Sequence, residues 1–278
     1  MTGDRVEPIF MVTGATGAIG GAAAASLAEV GARVVLVARD PDRAKAVVDG
    51  LGPGTAHEVL TCDLASPNDV RELVSTFRRS HVALSGLVNC AAVMSRERRI
   101  TSGGLERMFA TNHLGPFLLT NLLLPALRAG ASSRVLTLSA PSRVPVDLDD
   151  LQSERRFRWT RTFGATKTAN LEFTFALARR LDPAEVTANA LHPGLVRSRL
   201  TDPMPAPARR LVRLVSTDPA GAGRAIAELM TSPRFAGMTG RLFKGTRVID
   251  PPRAATDVSE QERLWEESAR LVGPIEGG

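Results

Sequence analysis

Three glycines spaced three residues apart, Gly14, Gly17 and Gly20, follow an apolar run and Thr13 in the stretch IFMVTGATGAIGG. Glycines in such a turn leave backbone N–H groups unscreened, and a helix starting there adds its dipole to their pull on negative charge. The chemistry this suits is the holding of a pyrophosphate, as in a dinucleotide. Thr13, Gly14, Thr16, Gly17, Ile19 and Gly20 are the candidate residues for it. A second group is Phe163-Gly164-Ala165-Thr166-Lys167. Its lysine is one of three, with Lys45 and Lys244, among 35 basic residues that are otherwise arginine. A lysine retained in so arginine-rich a chain argues for a role that arginine does not fill. The chain contains no tyrosine.

Alternating elements must carry these groups. Buried strands are expected over residues 9–12, 34–38, 58–61, 85–89, 134–138, 186–191 and 240–244, each a short apolar run. Helices are expected over 22–28, 42–49, 67–80, 105–127, 163–180 and 219–230. Residues 147–159 are too long for a tight turn and predict a partly helical excursion over one rim. Residues 204–216 form an amphipathic run after the sixth strand, and the 197–218 segment is the expected substrate lid, with Met204, Leu211, Leu214 and Val215 as its apolar side. A solvated surface helix is the equal alternative. The polar stretch after Asp250 is expected to fray. No repeat, linker or second core is visible. The pattern therefore predicts one domain over 1–278, an α/β doubly wound, Rossmann-like parallel sheet of seven strands.

The strand ends add detail. In a dinucleotide fold the residue closing the second strand meets the adenosine ribose, where an acid takes a 2′-hydroxyl and an arginine accommodates a 2′-phosphate. Arg39 stands there and points to NADP(H). The fourth strand runs into Asn89-Cys90-Ala91-Ala92, small enough to let a ribose approach, with Ser95 just beyond.

Composition excludes several classes. The net charge of +6 is scattered, with no basic-aromatic stripe, so nucleic acid is not an expected partner. No apolar run reaches the ~18–20 residues of a membrane span, and the polar start MTGDRVEP is no signal peptide. Cys62 and Cys90 form neither a disulfide framework nor a metal-ligand spacing, which suits a reducing, cytoplasmic setting.

Taken together, Thr13-Gly14, Asp63-Leu64, Asn89 with Ala91, Asn112-His113-Leu114-Gly115, Ser139, Lys167 and Asn189 with Pro193-Gly194 resemble the short-chain dehydrogenase/reductase superfamily over about residues 6–244. The stretches DDLQSERRF and KTANLEFTFALARRL look most like its retinol-dehydrogenase and protochlorophyllide-reductase branch, whereas Ala18 in the glycine loop looks like extended or atypical members. The resemblance implies that Thr13 to Gly20 hold the pyrophosphate and that Asp63 and Leu64 frame the adenine. It implies that Asn89, Ala91 and Pro193, Gly194 and Val196 line the nicotinamide half. Lys167 would bind the nicotinamide ribose, and Asn112 would hold a helix and a water near it. Related folds pair through the helices after the fourth and fifth strands, so the aliphatic faces of 114–124 and 171–177 allow a homodimer.

The resemblance breaks at the proton donor. Family members place a tyrosine four residues before the lysine; here that residue is Phe163. The serine usually thirteen residues before the tyrosine falls on Ala140, and Ser139, one place early, should face the other side of its strand. Phenylalanine has no ionisable proton, and general-acid help is worth about 10²–10⁴ in rate, roughly 3–5 kcal/mol of barrier. Protonation would then come from the substrate's own hydroxyl, from water ordered by Asn112 and Lys167, or from a hydroxyl such as Ser95, Ser139 or Thr162. This combination is similar to atypical reductases that tailor aromatic polyketides. It suggests an NADPH-dependent ketoreductase acting on a polycyclic aromatic ketone of the angucyclinone type in antibiotic biosynthesis. A non-catalytic NADP(H) sensor or scaffold and a non-redox cyclase on the same fold remain as alternatives.

Overall fold

Parallel strands buried on both faces read as unbroken apolar runs, and the chain alternates such runs with helices from its first strand onward. The structure is a computed structural model that describes residues 7–52 and 56–275; the side chains of Ala208, Leu211, Arg213 and Val215 lie outside that description. In chain order β1 (Ile9–Thr13), α1 (Ala18–Glu29), β2 (Arg33–Ala38), α2 (Pro41–Asp49), β3 (Glu58–Thr61), α3 (Pro67–Ser80) and β4 (Gly86–Asn89) form the first half. Next come α4 (Arg107–Phe109), a π-turn (Ala110–Leu114), α5 (Gly115–Ala129), β5 (Ser133–Leu138), α6 (Trp159–Arg180) and β6 (Val186–His192). The last part holds α7 (Ala206–Val215), α8 (Pro219–Thr231), β7 (Leu242–Lys244), β8 (Arg247–Ile249) and α9 (Val258–Val272).

One sheet results, in the order β3-β2-β1-β4-β5-β6-β7-β8. The order reverses between β1 and β4, and the crevice above the carboxyl ends of strands at such a switch point is where ligands bind in open α/β sheets. The seven expected strands run parallel, and the count needs one correction: β8 turns back antiparallel on β7, pairing Phe243 with Val248. Three residues are too few for a period-two pattern to stand out. Beneath one face, α1 and α8 pack through small residues such as Ala23, Ala24 and Ala227. On the other, α3, α5 and α6 bury Phe77, Phe117 and Phe173.

Two more expectations are corrected. Of the expected 147–159 excursion, residues 147–158 contain turns and no helical segment, and Trp159 already begins α6; the turns are held by Asp150, whose carboxylate accepts from the Glu154 and Arg155 N–H groups. Among the described residues after Asp250, up to 275, the chain is ordered rather than frayed. It forms α9, capped by the Asp257 carboxylate on the N–H groups of Ser259 and Glu260. Its Trp265 stands edge-on to Phe117 at 5.0 Å between ring centroids and tilted on Phe173 at 5.8 Å, with the Arg180 guanidinium 4.1 Å above the indole. Arg71 of α3 donates to the Val272 and Pro274 carbonyls at 2.8 and 2.7 Å. Part of the α5 and α6 faces expected to pair two copies therefore lies beneath α9. No helix among the described residues is long and apolar enough to cross a membrane.

Candidate active site

The glycine loop is built by close approach. Gly14 takes φ +66°, and a Cβ on it would stand 2.7 Å from the Ala91 Cα; one on Gly20 would run into the Gly14 carbonyl. No side chain other than hydrogen fits either place. Gly17 caps α1 without a side-chain bond, and the first turn holds no acid, so its N–H groups face outward uncompensated. Thr13 is fully buried and serves the scaffold. Its hydroxyl donates to the Val88 carbonyl at 3.4 Å and accepts from the Cys90 and Ala91 N–H groups at 3.0 and 3.2 Å. It thus ties the loop after β1 to the loop after β4 and fixes the width of the cleft between them.

That cleft is a cavity of about 440 Å³. Gly14, Thr16, Gly17, Ile19 and Gly20 line one lip, Ala91 the other, and Asp63 and Leu64 one end beside Arg39. The cradle that a Cβ would fill, the bare helix start and this end wall fit a dinucleotide. Sequence reasoning missed Arg43, which also lines the cavity. The signal was the spacing of four from Arg39: Asp40 caps α2 by accepting the Arg43 N–H at 3.1 Å, which sets Arg43 in the first turn beside the strand end. It also missed Ser198 and Arg199 on the segment after β6.

Several expected lining residues do not border this cavity. Asn89 is buried and donates to the Thr120 hydroxyl at 3.0 Å. Val196 is buried and bridged to Thr217, and neither it nor Pro193 and Gly194 borders the cavity. The lid segment contributes Ser198, Arg199, Leu200 and Pro203 rather than its expected apolar side: Leu214 is 76% exposed, Met204 does not line the cavity, and the Leu211 and Val215 side chains lie outside the described residues. Both cavity cysteines, Cys62 and Cys90, are free, and burial pushes each thiol up to about 12, which rules out a ready thiolate nucleophile.

The residues expected at the reacting end lie on and beside α6, and neither Phe163 nor Lys167 borders the cavity. Lys167 is buried below the cavity wall, its Nζ 5.4 Å from the Phe163 ring centroid and 3.4 Å from the Leu138 carbonyl that accepts from it. Burial lowers its pKa to about 8, and the Cys90 side chain opposes the shift. Asn112 sits fully buried in the π-turn. Its Oδ1 accepts from the Val93 N–H at 2.7 Å, and its Nδ2 donates to the Val93 carbonyl at 3.0 Å and to the Thr166 hydroxyl at 3.2 Å. Val93 lines the cavity, so Asn112 clamps the cleft lip to the helix that carries Phe163 and Lys167. Two expected hydroxyls are spent elsewhere. Ser139 donates to the Lys167 carbonyl at 2.6 Å, and Ser95 donates to the Glu97 carbonyl at 2.8 Å.

A cleft at the switch point of a parallel sheet, lined by glycines and arginine and backed by Asn112 and Lys167, has counterparts among known proteins. The model of the short chain dehydrogenase family matches residues 8–208. Mouse retinol dehydrogenase 14 is 35% identical over 95% of this chain and 85% of its own length. Human polyprenol dehydrogenase is 32% identical over 99% of this chain and 90% of its own. A solved structure from Mycobacterium paratuberculosis matches with a TM-score of 0.73 and 27% identity, covering 95% of this chain and 93% of that one. Sequence, sheet order and cleft agree, and the chain belongs to the short-chain dehydrogenase family, an oxidoreductase built to use a nicotinamide cofactor.

Proposed function

We propose that the chain is an NADPH-dependent ketoreductase, one domain over 1–278, that reduces a carbonyl of a polycyclic aromatic polyketide of the angucyclinone type in antibiotic biosynthesis and leaves protonation to the substrate hydroxyl or water. The observation that carries this reading is the ring of Phe163 beside Lys167, at the position where a family member would carry its phenol. The three hydroxyls singled out as stand-ins for the phenol are engaged: Ser139 with the Lys167 carbonyl, Ser95 with Glu97, and Thr162 with Ser153 at 3.3 Å. A ketone flanked by a phenol or enol stabilises its own alkoxide through an internal hydrogen bond and needs no side-chain acid.

The chemistry supplied by the bound cofactor is hydride transfer to the carbonyl carbon. The residues here bind and orient. Thr16, Gly17 and the start of α1 would hold the pyrophosphate, and Arg39 with Arg43 the 2′-phosphate, which favours NADPH. Lys167 would hold the ribose hydroxyls, with Asn112 keeping its helix against the cleft lip. The retinol and polyprenol named for the relatives are large apolar compounds, which supports an apolar substrate class. Two free thiols at the cleft suit a cytoplasmic setting.

The test mixes the protein with NADPH and an angucyclinone ketone and follows the loss of NADPH absorbance. Turnover, and its loss when the neighbouring phenol of the substrate is methylated, is expected. Tight NADPH binding with no turnover would favour a sensor or scaffold, and product formation with oxidised or absent cofactor would favour a cyclase.

A further inference from the structure

The wall of the cleft that comes from the segment after β6 carries a charge. Arg199, in the short 3-10 turn Arg199–Thr201, lines the cavity, and its Nη2 donates to the Thr16 carbonyl at 3.4 Å across 183 residues of chain. It stands at the glycine loop, beside the start of α1 where Gly17 caps without a side chain and the first turn has no acid. Arg39 and Arg43 are grouped at the end of β2, at another part of the same cavity. One cleft therefore holds two positive centres, and the one at the glycine loop is a guanidinium set beside bare N–H groups. A neutral carbonyl at the long end of hydrogen-bonding distance is a weak partner for a guanidinium, and a phosphate oxygen is a much stronger one.

The chain around Arg199 is tied at its ends. Thr217 donates to the Leu195 carbonyl at 2.8 Å and accepts from the Arg197 N–H at 3.2 Å, and Val196 bridges Thr217. The segment is thus a loop closed at its base, with Arg199 two residues beyond the tie. Inside the loop Arg209 donates to the Asp202 carbonyl at 3.1 Å. A bond from Arg199 to anything seated in the cleft would order the whole loop.

We propose that Arg199 is the latch of the 197–218 lid: with a dinucleotide in the cleft, its guanidinium exchanges the Thr16 carbonyl for a pyrophosphate oxygen and holds the lid over the cofactor. The proposal rests on the NADPH reading above. Arg199 is a binding residue for the cofactor, separate in place and in task from the pair at the end of β2.

Calorimetry on the full chain tests it with two probes. NADPH carries the pyrophosphate; adenosine 2′-monophosphate carries the adenine, ribose and 2′-phosphate without it, and is measured by displacement. Arg199→Ala is expected to weaken NADPH about tenfold or more, the effect of losing a hydrogen bond to a charged group, and to leave adenosine 2′-monophosphate unchanged. Arg199→Lys, which keeps the charge, should recover part of the loss. A second readout is tryptic cleavage at Arg209 and Arg210: NADPH should slow it in the wild type and not in Arg199→Ala. Equal NADPH binding by the variant, or equal weakening of both probes, would overturn the latch. A wild-type chain that binds adenosine 2′-monophosphate and not NADPH would overturn it too, and one that binds neither would remove the cofactor reading beneath it.

Discussion

The hydroxyl of Ser139 donates to the backbone carbonyl of Lys167 at 2.6 Å, so a hydroxyl weighed as a proton source joins the end of β5 to the middle of α6. Ser139→Ala should lower stability by about 1 kcal/mol, the usual net worth of a buried neutral hydrogen bond, and change kcat less than threefold. Chemical denaturation and steady-state rates check both. A hundredfold loss of kcat with stability unchanged would instead make Ser139 a proton donor.

Phe163→Tyr puts a phenol four residues before Lys167. If the substrate or water supplies the proton, NADPH oxidation with an angucyclinone ketone should change less than tenfold. A larger gain would mean that the native site is a damaged version of the usual one and that substrate assistance is wrong.

Lys167 gives a pH signature. Burial lowers its pKa from 10.5 to about 8, so between these values the folded chain binds fewer protons than the unfolded one. Burying the charged amine costs stability fully below pH 8, and the cost fades as pH rises toward 10.5. Without cofactor, Lys167→Met should therefore melt higher than wild type at pH 7, with the gap closing by about pH 10. Thermal scans at both pH values decide, and a gap that widens with pH would contradict the assignment. The same variant should lose NADPH-dependent turnover.

Arg39 and Arg43 flank one end of the cleft together. Arg39→Asp should raise the KM for NADPH about tenfold to a hundredfold, the loss of charge-assisted bonds to a phosphate, and improve the use of NADH. Arg43→Ala should weaken NADPH and leave NADH unchanged. Paired KM measurements with the two cofactors separate these effects.

Trp265 fills the space between Phe117, Phe173 and the Arg180 guanidinium. Trp265→Ala should cost about 3 kcal/mol, read as a shifted urea midpoint. Uncovering the aliphatic faces of α5 and α6 should also make the variant associate more than wild type, read by sedimentation of the two at matched concentrations.

The parts of this molecule that were legible in sequence share a cause. Strands buried on both faces are plain apolar runs, and the glycine loop is set by steric demands that only hydrogen meets at Gly14. Strand parity could set Ser139 apart from the family serine position, but its partner, the Lys167 carbonyl, comes only from the packing of α6 on β5. What escaped depended on who packs against whom. The α9 pattern of Gln261, Leu264, Ser268 and Val272 is spaced by three and four, yet two of the four are polar, and the buried Ser268 hydroxyl meets His113 at 2.8 Å, a partner far away in sequence. Arg43 carried the right spacing in a chain where arginine is too common to notice. In the lid segment the apolar pattern drew attention to Met204 and Leu214, whereas Ser198, Arg199, Leu200 and Pro203 line the cleft, a placement that depends on how the chain leaves β6.

The π-turn at Ala110–Leu114 inserts one residue into an otherwise continuous helical run around Asn112. A single-residue deletion there would restore regular winding and rotate the chain before it by about 100° relative to α5. Asn112 could not then reach both Val93 and Thr166. The segment is therefore closed to length change, and chimaeras with related reductases should place their crossovers outside it.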